Sequence, residues 1–184
     1  VDLVKAEAPD AVIVATGAAI YAPAVPGDGS VPVTVYSGKG AGATVVLMDE
    51  DGSYWAESLA EAMARHGCKV IYVTRFLEPF RELPEVSRIA TLRSLDQRGV
   101  RLYTNMFIDR CEQGQVWLRH YYNSQRTECI GKVDEIVWAG AQQALGAIAD
   151  ELKAAGIPDV RTIGDAWSPD RKSTRLNSSH GYIS

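Results

Sequence analysis

Two continuous apolar segments with a helical stretch between them limit the possible folds of this chain more than any other feature. Residues 44–48 (TVVLM) and 69–74 (KVIYVT) have the length and composition of strands that are buried on both faces. Between them, apolar residues recur at helical spacing, which predicts an amphipathic helix over 54–66 that ends at Gly67. A strand, a crossover helix and a second strand, about thirty residues in all, form a unit whose strands are parallel. The sequence therefore predicts the α/β class with a parallel sheet.

The rest of the chain continues this alternation of strands and helices. Residues 11–15 and 135–139 are further buried-strand patterns, and each is followed closely by a glycine. A helix is predicted over 85–98, and its expected buried side carries Val86, Ile89, Ala90 and Leu95. A third helix is predicted over 144–155, and a strand over 160–163 then leads to Gly164 and Asp165.

Two stretches do not fit a simple repeat of strand and helix. Residues 100–104, 106–111 and 115–121 each read as a strand, and we interpret them as an antiparallel meander with a turn at Gln113 and Gly114. Residues 18–42 are rich in Pro, Gly and Ala, and we interpret them as a linker. The expected architecture is a parallel sheet with an antiparallel insertion.

Composition excludes several classes of protein. The 184 residues are 46% hydrophobic and 23% charged, as in ordinary globular domains. No apolar run approaches the roughly 20 residues that span a bilayer, so we expect no membrane partner. A net charge of −4 argues against nucleic-acid binding, which needs clustered Lys and Arg. Cys68, Cys111 and Cys129 form no metal or disulfide pattern, and this favours a reducing, cytoplasmic location.

The turn after residues 44–48 is the candidate nucleotide site. In a dinucleotide-binding fold this turn carries three glycines and places a pyrophosphate on the helix N-terminus. Here Gly52 is flanked by Asp51 and Ser53, and the three glycine positions fall on Asp51, Ser53 and Ala56. Asp49 and Glu50 stand beside Asp51, so three carboxylates would face a phosphate here. A carboxylate about 4 Å from a phosphate costs about 1 kcal/mol in water and about 4 kcal/mol at an effective dielectric constant near 20. The helix dipole offers an anion only about 0.3 to 1 kcal/mol. An active NAD(P) site and a retained scaffold with a lost site both remain open.

The end of the next strand departs from the dinucleotide pattern in the same way. An Asp or Glu usually stands there to bind a ribose hydroxyl, whereas this chain has Thr74 and Arg75. Arg75 has two interpretations, a contact with the 2′-phosphate of NADP or an ordinary solvated side chain.

The sequence contains no recognisable catalytic group. The stretch 38–42 (GKGAG) precedes a strand and has Gly40 where a phosphate loop needs Ser or Thr, so we interpret it as linker. His66 and His120 have no partner in the sequence, and no triad, redox pair or metal cluster can be assembled. We therefore expect no catalytic residue and no metal ligand in this chain.

Both ends of the chain influence the interpretation. Residue 1 is Val instead of Met and leads directly toward a strand, so we expect the chain to be a fragment. Residues 170–184 lack apolar periodicity, and 170–180 (DRKSTRLNSSH) resemble a translated sequencing adapter. We therefore leave this tail out of the fold prediction.

Several motifs in order carry a resemblance to a known family. Residues 9–17 (PDAVIVATG), 23–27, the unit over 44–74, the meander, 137–140 (VWAG) and 163–166 (IGDA) resemble the paired dinucleotide-binding domains of flavin-dependent pyridine-nucleotide oxidoreductases. Within that group, 45–61 (VVLMDEDGSYWAESLAE) is similar to the C-terminal region of the trimethylamine dehydrogenase and 2,4-dienoyl-CoA reductase family.

The resemblance implies a cofactor arrangement. An N-terminal barrel absent from this chain would carry FMN and an iron-sulfur cluster and perform the substrate chemistry. Ala15, Thr16 and Gly17 would approach FAD, or ADP in its place, and Gly164 and Asp165 would match the segment whose carboxylate contacts the sugar-alcohol chain of the flavin. NAD(P)H is a further option through Asp51, Gly52, Ser53, Ala56, Thr74 and Arg75.

Together these observations define the expected organisation and function. We expect Rossmann-like paired domains: residues 1–42 and 134–169 in an FAD- or ADP-binding part, 43–133 in an NAD(P)-binding-like part, and 170–184 as an artefact. The expected function is nucleotide binding within a multidomain flavin-dependent oxidoreductase acting on amines or enoates. The alternative is a non-catalytic, degenerate adenine-nucleotide-binding or structural module.

Overall fold

The computed structural model describes residues 1–140 and 142–169. It contains four α-helices: α1 Asp2–Ala6, α2 Tyr54–Arg65, α3 Glu85–Gln97 and α4 Ala147–Ala154. The strands of the first half are β1 Val12–Val14, β2 Ala18–Ile20, β3 Val33–Thr34, β4 Thr44–Asp49, β5 Lys69–Thr74 and β6 Arg101–Tyr103. Those of the second half are β7 Met106–Glu112, β8 Gln115–His120, β9 Thr127–Lys132, β10 Glu135–Ala139, β11 Gln142–Ala144 and β12 Val160–Thr162, followed by a 3-10 turn at Gly164–Ala166.

The chain divides into two compact units. Tyr21–Ala141 form the first, which we call the sheet unit. Val1–Ile20 and the described residues from Gln142 onward form the second, which we call the terminal unit. The predicted α/β class is confirmed, because the sheet unit combines helices with a parallel sheet and a separate antiparallel sheet.

The sheet unit is built on five parallel strands in the order β3-β10-β4-β5-β6. The predicted crossover through α2 joins β4 to β5, and Thr44 to Asp49 pair with Lys69 to Thr74 in parallel register. Helix α2 begins at the N-cap Ser53, whose side chain accepts a hydrogen bond from the Trp55 amide, and a positive φ of 81° at Gly67 follows its end. The strand-helix-strand unit predicted from apolar spacing is thus confirmed.

Alternate residues of the central strands feed two hydrophobic cores. Val45 and Leu47 pack with α2, α3 and Tyr72 on one face, whereas Val46 and Met48 pack with the meander strands on the other. All four side chains are fully buried. Because both faces are covered, β4 reads as a continuous apolar run instead of an alternating one.

The prediction for the buried side of α3 is correct for Leu95 and wrong for Val86, Ile89 and Ala90. The helix spans nearly the predicted residues, but Val86 is 82% exposed and Ile89 is 50% exposed. The side chains that face the core are Leu95 and Thr91, and Thr91 donates a hydrogen bond to Glu57 of α2. The helix has two apolar stripes, and packing against α2 selects the one that contains Leu95.

The antiparallel meander exists, but its membership differs from the prediction. Its strands are β7, β8 and β9, with the turn at Gln113 and Gly114 as predicted. The segment predicted over 100–104 instead becomes β6, which pairs in parallel with β5 at the edge of the main sheet. Strand β9 was not predicted, because Thr127–Lys132 is largely exposed and has little apolar pattern.

The stretch 18–42 is not a simple linker. It contains β2, and β3 pairs with β10 as the edge of the parallel sheet. The buried carboxylate of Glu135 accepts hydrogen bonds from Thr34 and Ser37, which attaches this stretch to the sheet. High Pro and Gly content here reflects an irregular path that is nevertheless packed.

The terminal unit contains two small sheets and one buried cluster. Strands β1 and β12 are parallel, with Val12 opposite Val160, and β2 and β11 are antiparallel. Val14, Ala149, Leu152 and Ala166 form its core. The strands predicted over 11–15 and 160–163 are confirmed, and α4 is shorter than predicted. The predicted artefact at 170–184 lies outside the described residues.

Candidate functional site

The carboxyl ends of three neighbouring parallel strands meet at one edge of the sheet unit. In register, Asp49 at the end of β4 lies beside Thr74 of β5 and Ala139 of β10. In open α/β sheets, ligands bind outside the carboxyl ends of the strands. This edge brings together six of the residues predicted from the sequence: Asp51, Gly52, Ser53, Ala56, Thr74 and Arg75.

Asp49 organises the turn that follows β4. Its side chain is fully buried, and Oδ1 accepts hydrogen bonds from the backbone amides of Asp51 at 2.9 Å and Gly52 at 2.7 Å. The other carboxylate oxygen accepts a hydrogen bond from the Tyr72 hydroxyl. The sequence placed this carboxylate among the groups that would face a phosphate, whereas the structure turns it inward under the loop.

Tyr72 connects this carboxylate to the segment after β5. The Tyr72 hydroxyl accepts a hydrogen bond from the Phe80 amide at 3.3 Å, and the two rings are 4.6 Å apart. Burial and the adjacent Asp49 carboxylate raise the pKa of the Tyr72 phenol. Burial also raises the pKa of Asp49, against the effect of its hydrogen bonds with Tyr72 and the loop amides. Asp49, Tyr72 and the backbone amides bound to them therefore form a buried polar cluster in which each acceptor oxygen receives a hydrogen bond.

Glu50 points toward the other neighbouring strand. Its Oε2 accepts a hydrogen bond from the indole Nε1 of Trp138 at 3.2 Å, and its amide donates to the Ala139 carbonyl. A Cβ built at Gly140 would lie 2.5 Å from Nε1 of Trp138, so any larger residue at this position would require the indole to shift. These contacts join the residue that follows β4 to the end of β10.

Ser53 and Ala56 have structural roles at the start of α2. Ser53 is the N-cap described above, and Ala56 is fully buried against the core. A small residue at the third fingerprint position permits close packing of helix and strand, and Ala56 meets that requirement.

The residues after β5 form a stack of cations on one aromatic ring. Thr74 is buried and accepts a hydrogen bond from the Phe76 amide. The guanidinium carbons of Arg75 and Arg81 lie 5.0 Å and 4.5 Å from the centre of the Phe76 ring. Within the described part of the chain, the buried Nε of Arg75 has no hydrogen-bond partner. Arg75 is therefore placed beside the loop, together with a second arginine that sequence reasoning did not consider.

The terminal unit brings together the other five predicted residues: Ala15, Thr16, Gly17, Gly164 and Asp165. They follow the parallel strands β1 and β12, which are joined beyond their ends by a bond from the Ile163 amide to the Val14 carbonyl. Gly17 and Gly164 have positive φ angles of 76° and 61°, and a Cβ at either would meet no atom within 4 Å. These backbone segments therefore border open space.

Neighbouring backbone closes one side of this second site. The Thr16 hydroxyl donates to the Leu145 carbonyl, and the Leu145 amide donates to the Gly17 carbonyl at 2.9 Å. A Cβ at Gly146 would lie 2.4 Å from the Ala166 carbonyl oxygen, so the chain before α4 passes closely over the 3-10 turn. Glycine at 146 is required by this approach.

Sequence reasoning missed the residues that define the first site: Tyr72, Phe76, Phe80, Arg81 and Trp138. One signal was available, because an acidic residue ending a continuous buried strand needs an internal partner. Tyr72 is the polar group in the middle of the adjacent strand, and it could have been chosen as that partner.

Among residues 1–140 and 142–169, no group of three His, Cys, Asp or Glu side chains could hold a metal ion. No helix in residues 1–140 or 142–169 is long and apolar enough to cross a membrane.

Comparison with known proteins gives matches among solved structures. No protein-family model and no curated protein sequence matches the chain. It is similar to histamine dehydrogenase from Rhizobium sp. 4-9, with 27% identity and a TM-score of 0.73 over 86% of this chain and 26% of that one. It is also similar to 6-hydroxypseudooxynicotine amine oxidase from Pseudomonas geniculata N1, with 24% identity and a TM-score of 0.76 over 92% and 28%.

A third similar structure is the HOCl-induced flavoprotein disulfide reductase of Escherichia coli. It shares 17% identity and a TM-score of 0.63 over 85% of this chain and 40% of that one. The second and third similarities show the fold alone. The chain spans about a quarter of the two amine enzymes, and its structural neighbours are oxidoreductases that include a flavoprotein.

Proposed function

We propose that this chain is the nucleotide-binding portion of a multidomain flavin-dependent oxidoreductase acting on amines or enoates. The observation that carries the proposal is the pair of open glycine segments, Thr16 with Gly17 and Gly164 with Asp165, after two adjacent parallel strands. The similarity to histamine dehydrogenase supports amines as the substrate class. In this proposal the two units are Rossmann-like paired dinucleotide-binding domains.

The terminal unit fits an adenine nucleotide, either FAD or ADP. Open space beside Gly17 and Gly164 allows a ligand to approach the backbone without meeting a Cβ. Ala15, Thr16 and Gly17 would border the nucleotide, and Asp165 would accept hydrogen bonds from hydroxyls of a sugar or sugar alcohol. When bound, FAD supplies redox chemistry, whereas ADP has only a structural role. The residues of this unit bind and orient the nucleotide.

Other parts of the proposal come from the family resemblance. A separate barrel carrying FMN and an iron-sulfur cluster would perform the substrate reaction, and this chain would be its partner. The greater length of the similar structures supports such a partner. The three free cysteines support a cytoplasmic location, because thiols stay reduced there.

Calorimetric titration of the full chain with FAD and with ADP tests the proposal. We expect saturable binding of at least one of them. The Asp165→Ala variant should lose at least about tenfold more affinity for FAD than for ADP, because ADP lacks the sugar alcohol. Asp159→Ala is the matched control, since Asp159 lies at the opposite end of β12 and pairs with Arg161. Absence of binding for both nucleotides would favour the alternative, a non-catalytic structural module.

A second candidate is an NADPH-dependent flavin reductase, favoured by the two arginines stacked on Phe76. The hydrogen bonds from the amides of Asp51 and Gly52 to Asp49 count against this candidate, because a pyrophosphate would need the same donors. If this candidate holds, Arg75→Ala should weaken NADPH binding more than NADH binding. An equal effect on both would remove it.

A further inference from the structure

In the turn after β4, backbone amides already donate hydrogen bonds to an anion, which is the side-chain carboxylate of Asp49. A phosphate on a dinucleotide-binding turn accepts hydrogen bonds from successive backbone N–H groups. Here one oxygen of the Asp49 carboxylate accepts them from Asp51 and Gly52, at 2.9 and 2.7 Å. The Tyr72 hydroxyl donates a hydrogen bond to the second carboxylate oxygen. The donors that a pyrophosphate would need are therefore engaged.

The outer side of the same turn is covered as well. A Cβ built at Gly52 would lie 2.7 Å from Cγ of Arg81 and 3.3 Å from Cε2 of Phe76. The Glu82 amide donates a hydrogen bond to the Gly52 carbonyl at 2.9 Å. The segment after β5 thus packs directly against the turn.

We propose that Asp49 is an internal substitute for a bound phosphate and that it excludes nicotinamide dinucleotides from the sheet unit. The proposal rests on the assignment of this unit to the dinucleotide-binding class in the proposed function. Asp49 is a positioning residue, because it acts through the backbone amides of the turn.

Occupation of the amides differs from simple repulsion by the acidic turn. Asp49 is fully buried, and the Glu50 carboxylate accepts a hydrogen bond from the Trp138 indole. Two of the three neighbouring carboxylates are therefore engaged within the unit. Repulsion predicts that removing the charge of Asp49 or of Asp51 should have the same effect, whereas occupation predicts that only loss of the Asp49 acceptor oxygen matters.

The test uses the full 184-residue chain, inorganic pyrophosphate as the probe, and nuclear magnetic resonance of backbone amides. In the unchanged chain, the Asp51 and Gly52 amides should exchange slowly with solvent and should not shift with pyrophosphate at about 1 mM. In Asp49→Ala, both amides should exchange at least about tenfold faster and should shift on pyrophosphate addition. The pyrophosphate response is a readout that a merely structural role of Asp49 would not produce.

Asp51→Ala is the matched control, because it removes the same charge from the same turn and leaves Asp49 in place. It should produce no pyrophosphate response, whereas Asp49→Ala should produce one. Asp49→Asn keeps a side-chain oxygen that accepts both amide hydrogen bonds, so occupation predicts no response from this variant, whereas repulsion predicts one. Equal responses in Asp49→Ala and Asp51→Ala, or a response in Asp49→Asn, would overturn the proposal in favour of repulsion.

The unchanged chain provides a decisive measurement even if Asp49→Ala fails to fold. Shifts of the Asp51 and Gly52 amides with pyrophosphate or NADPH in that chain would overturn the proposal directly. If the proposed function is wrong, the amide resonances of Gly17 and Gly164 in the terminal unit should not shift when ADP or FAD is added. The two failures are therefore distinguishable.

Discussion

Gly27 lies where the backbone before β3 crosses the meander. A Cβ built there would lie 1.8 Å from the Cys111 carbonyl oxygen, and its φ of 132° is one that side chains rarely adopt. Hydrogen bonds on both sides hold the crossing, from Asp28 N to Cys111 O and from Cys111 N to Pro26 O. The obstacle is backbone, so it cannot rotate away as a side chain could.

Gly27→Ala should therefore destabilise the sheet unit by about 3 kcal/mol or more, since the clash adds to backbone strain. Gly29→Ala is the control, because its φ is 71° but a Cβ would meet nothing within 4 Å. That control should lose only about 1 kcal/mol. Urea unfolding monitored by circular dichroism measures both losses, and similar values would show that the close approach is unimportant.

Asp28 gives the crossing a dependence on pH. Hydrogen bonds from Ser30 and from the Gln113 amide lower its pKa from 3.8 to about 2. Because the folded state favours the charged carboxylate, this contribution is full above about pH 4 and is lost as pH falls toward 2. The stability difference between the unchanged chain and Asp28→Asn should be constant from pH 5 to 7 and should shrink below about pH 4. Urea titrations at each pH would detect it, and a difference that persists at pH 2 would contradict the assignment.

At the scale of elements, α3 shows how one helix can carry two plausible faces. Val86, Ile89 and Ala90 lie on one stripe, whereas Leu95, which the sequence predicted on the same side, lies on the other. The choice depends on α2 and the sheet, which bury Leu95 and bind Thr91 through Glu57. Nothing in the local spacing distinguishes the two stripes.

Substitutions on the two faces should separate them clearly. Leu95→Ala should cost about 2 to 5 kcal/mol because it leaves a cavity in the core. Val86→Ala should change the stability by no more than about 0.5 kcal/mol, since Val86 is 82% exposed. Unfolding free energies from urea titration test this, and equal losses would contradict the assignment of Val86 to the exposed face.

At the scale of the whole molecule, the two units differ in how their strands are protected. Strands β4, β5 and β10 are central and covered on both faces, and their residues are almost entirely buried. In the terminal unit, β1 and β12 form a two-stranded pair in which Ile13 is 66% exposed. Two-stranded sheets are marginal by themselves.

Amide hydrogen exchange should reveal this difference. We expect amides of β4 and β5 to exchange at least about 100-fold more slowly than those that bond across β1 and β12, a difference of about 2.7 kcal/mol in opening free energy. Binding of ADP or FAD should slow exchange in β1 and β12 selectively if the terminal unit holds the nucleotide. Equal exchange in both units before addition would show that they open together.

The sequence by itself determined most helices and strands, the parallel βαβ unit and the pairing of β7 with β8. Those features follow from apolar period, Gly67 after a helix and the turn at Gln113 and Gly114, which are local properties. The predicted site residues after β4 and β5 lie at one edge of the sheet for the same reason, since parallel strands end together.

The tertiary structure alone decided what that edge contains. Tyr72 meets Asp49 across 23 residues of sequence, and β3 joins β10 across about a hundred. Whether a carboxylate side chain at the end of a strand points toward a ligand or into the protein depends on the partner that the neighbouring strand supplies. Such contacts arise only when distant segments pack, because burial without a partner would cost too much free energy. The acidic turn could thus be read from the sequence, but its internal anion could not.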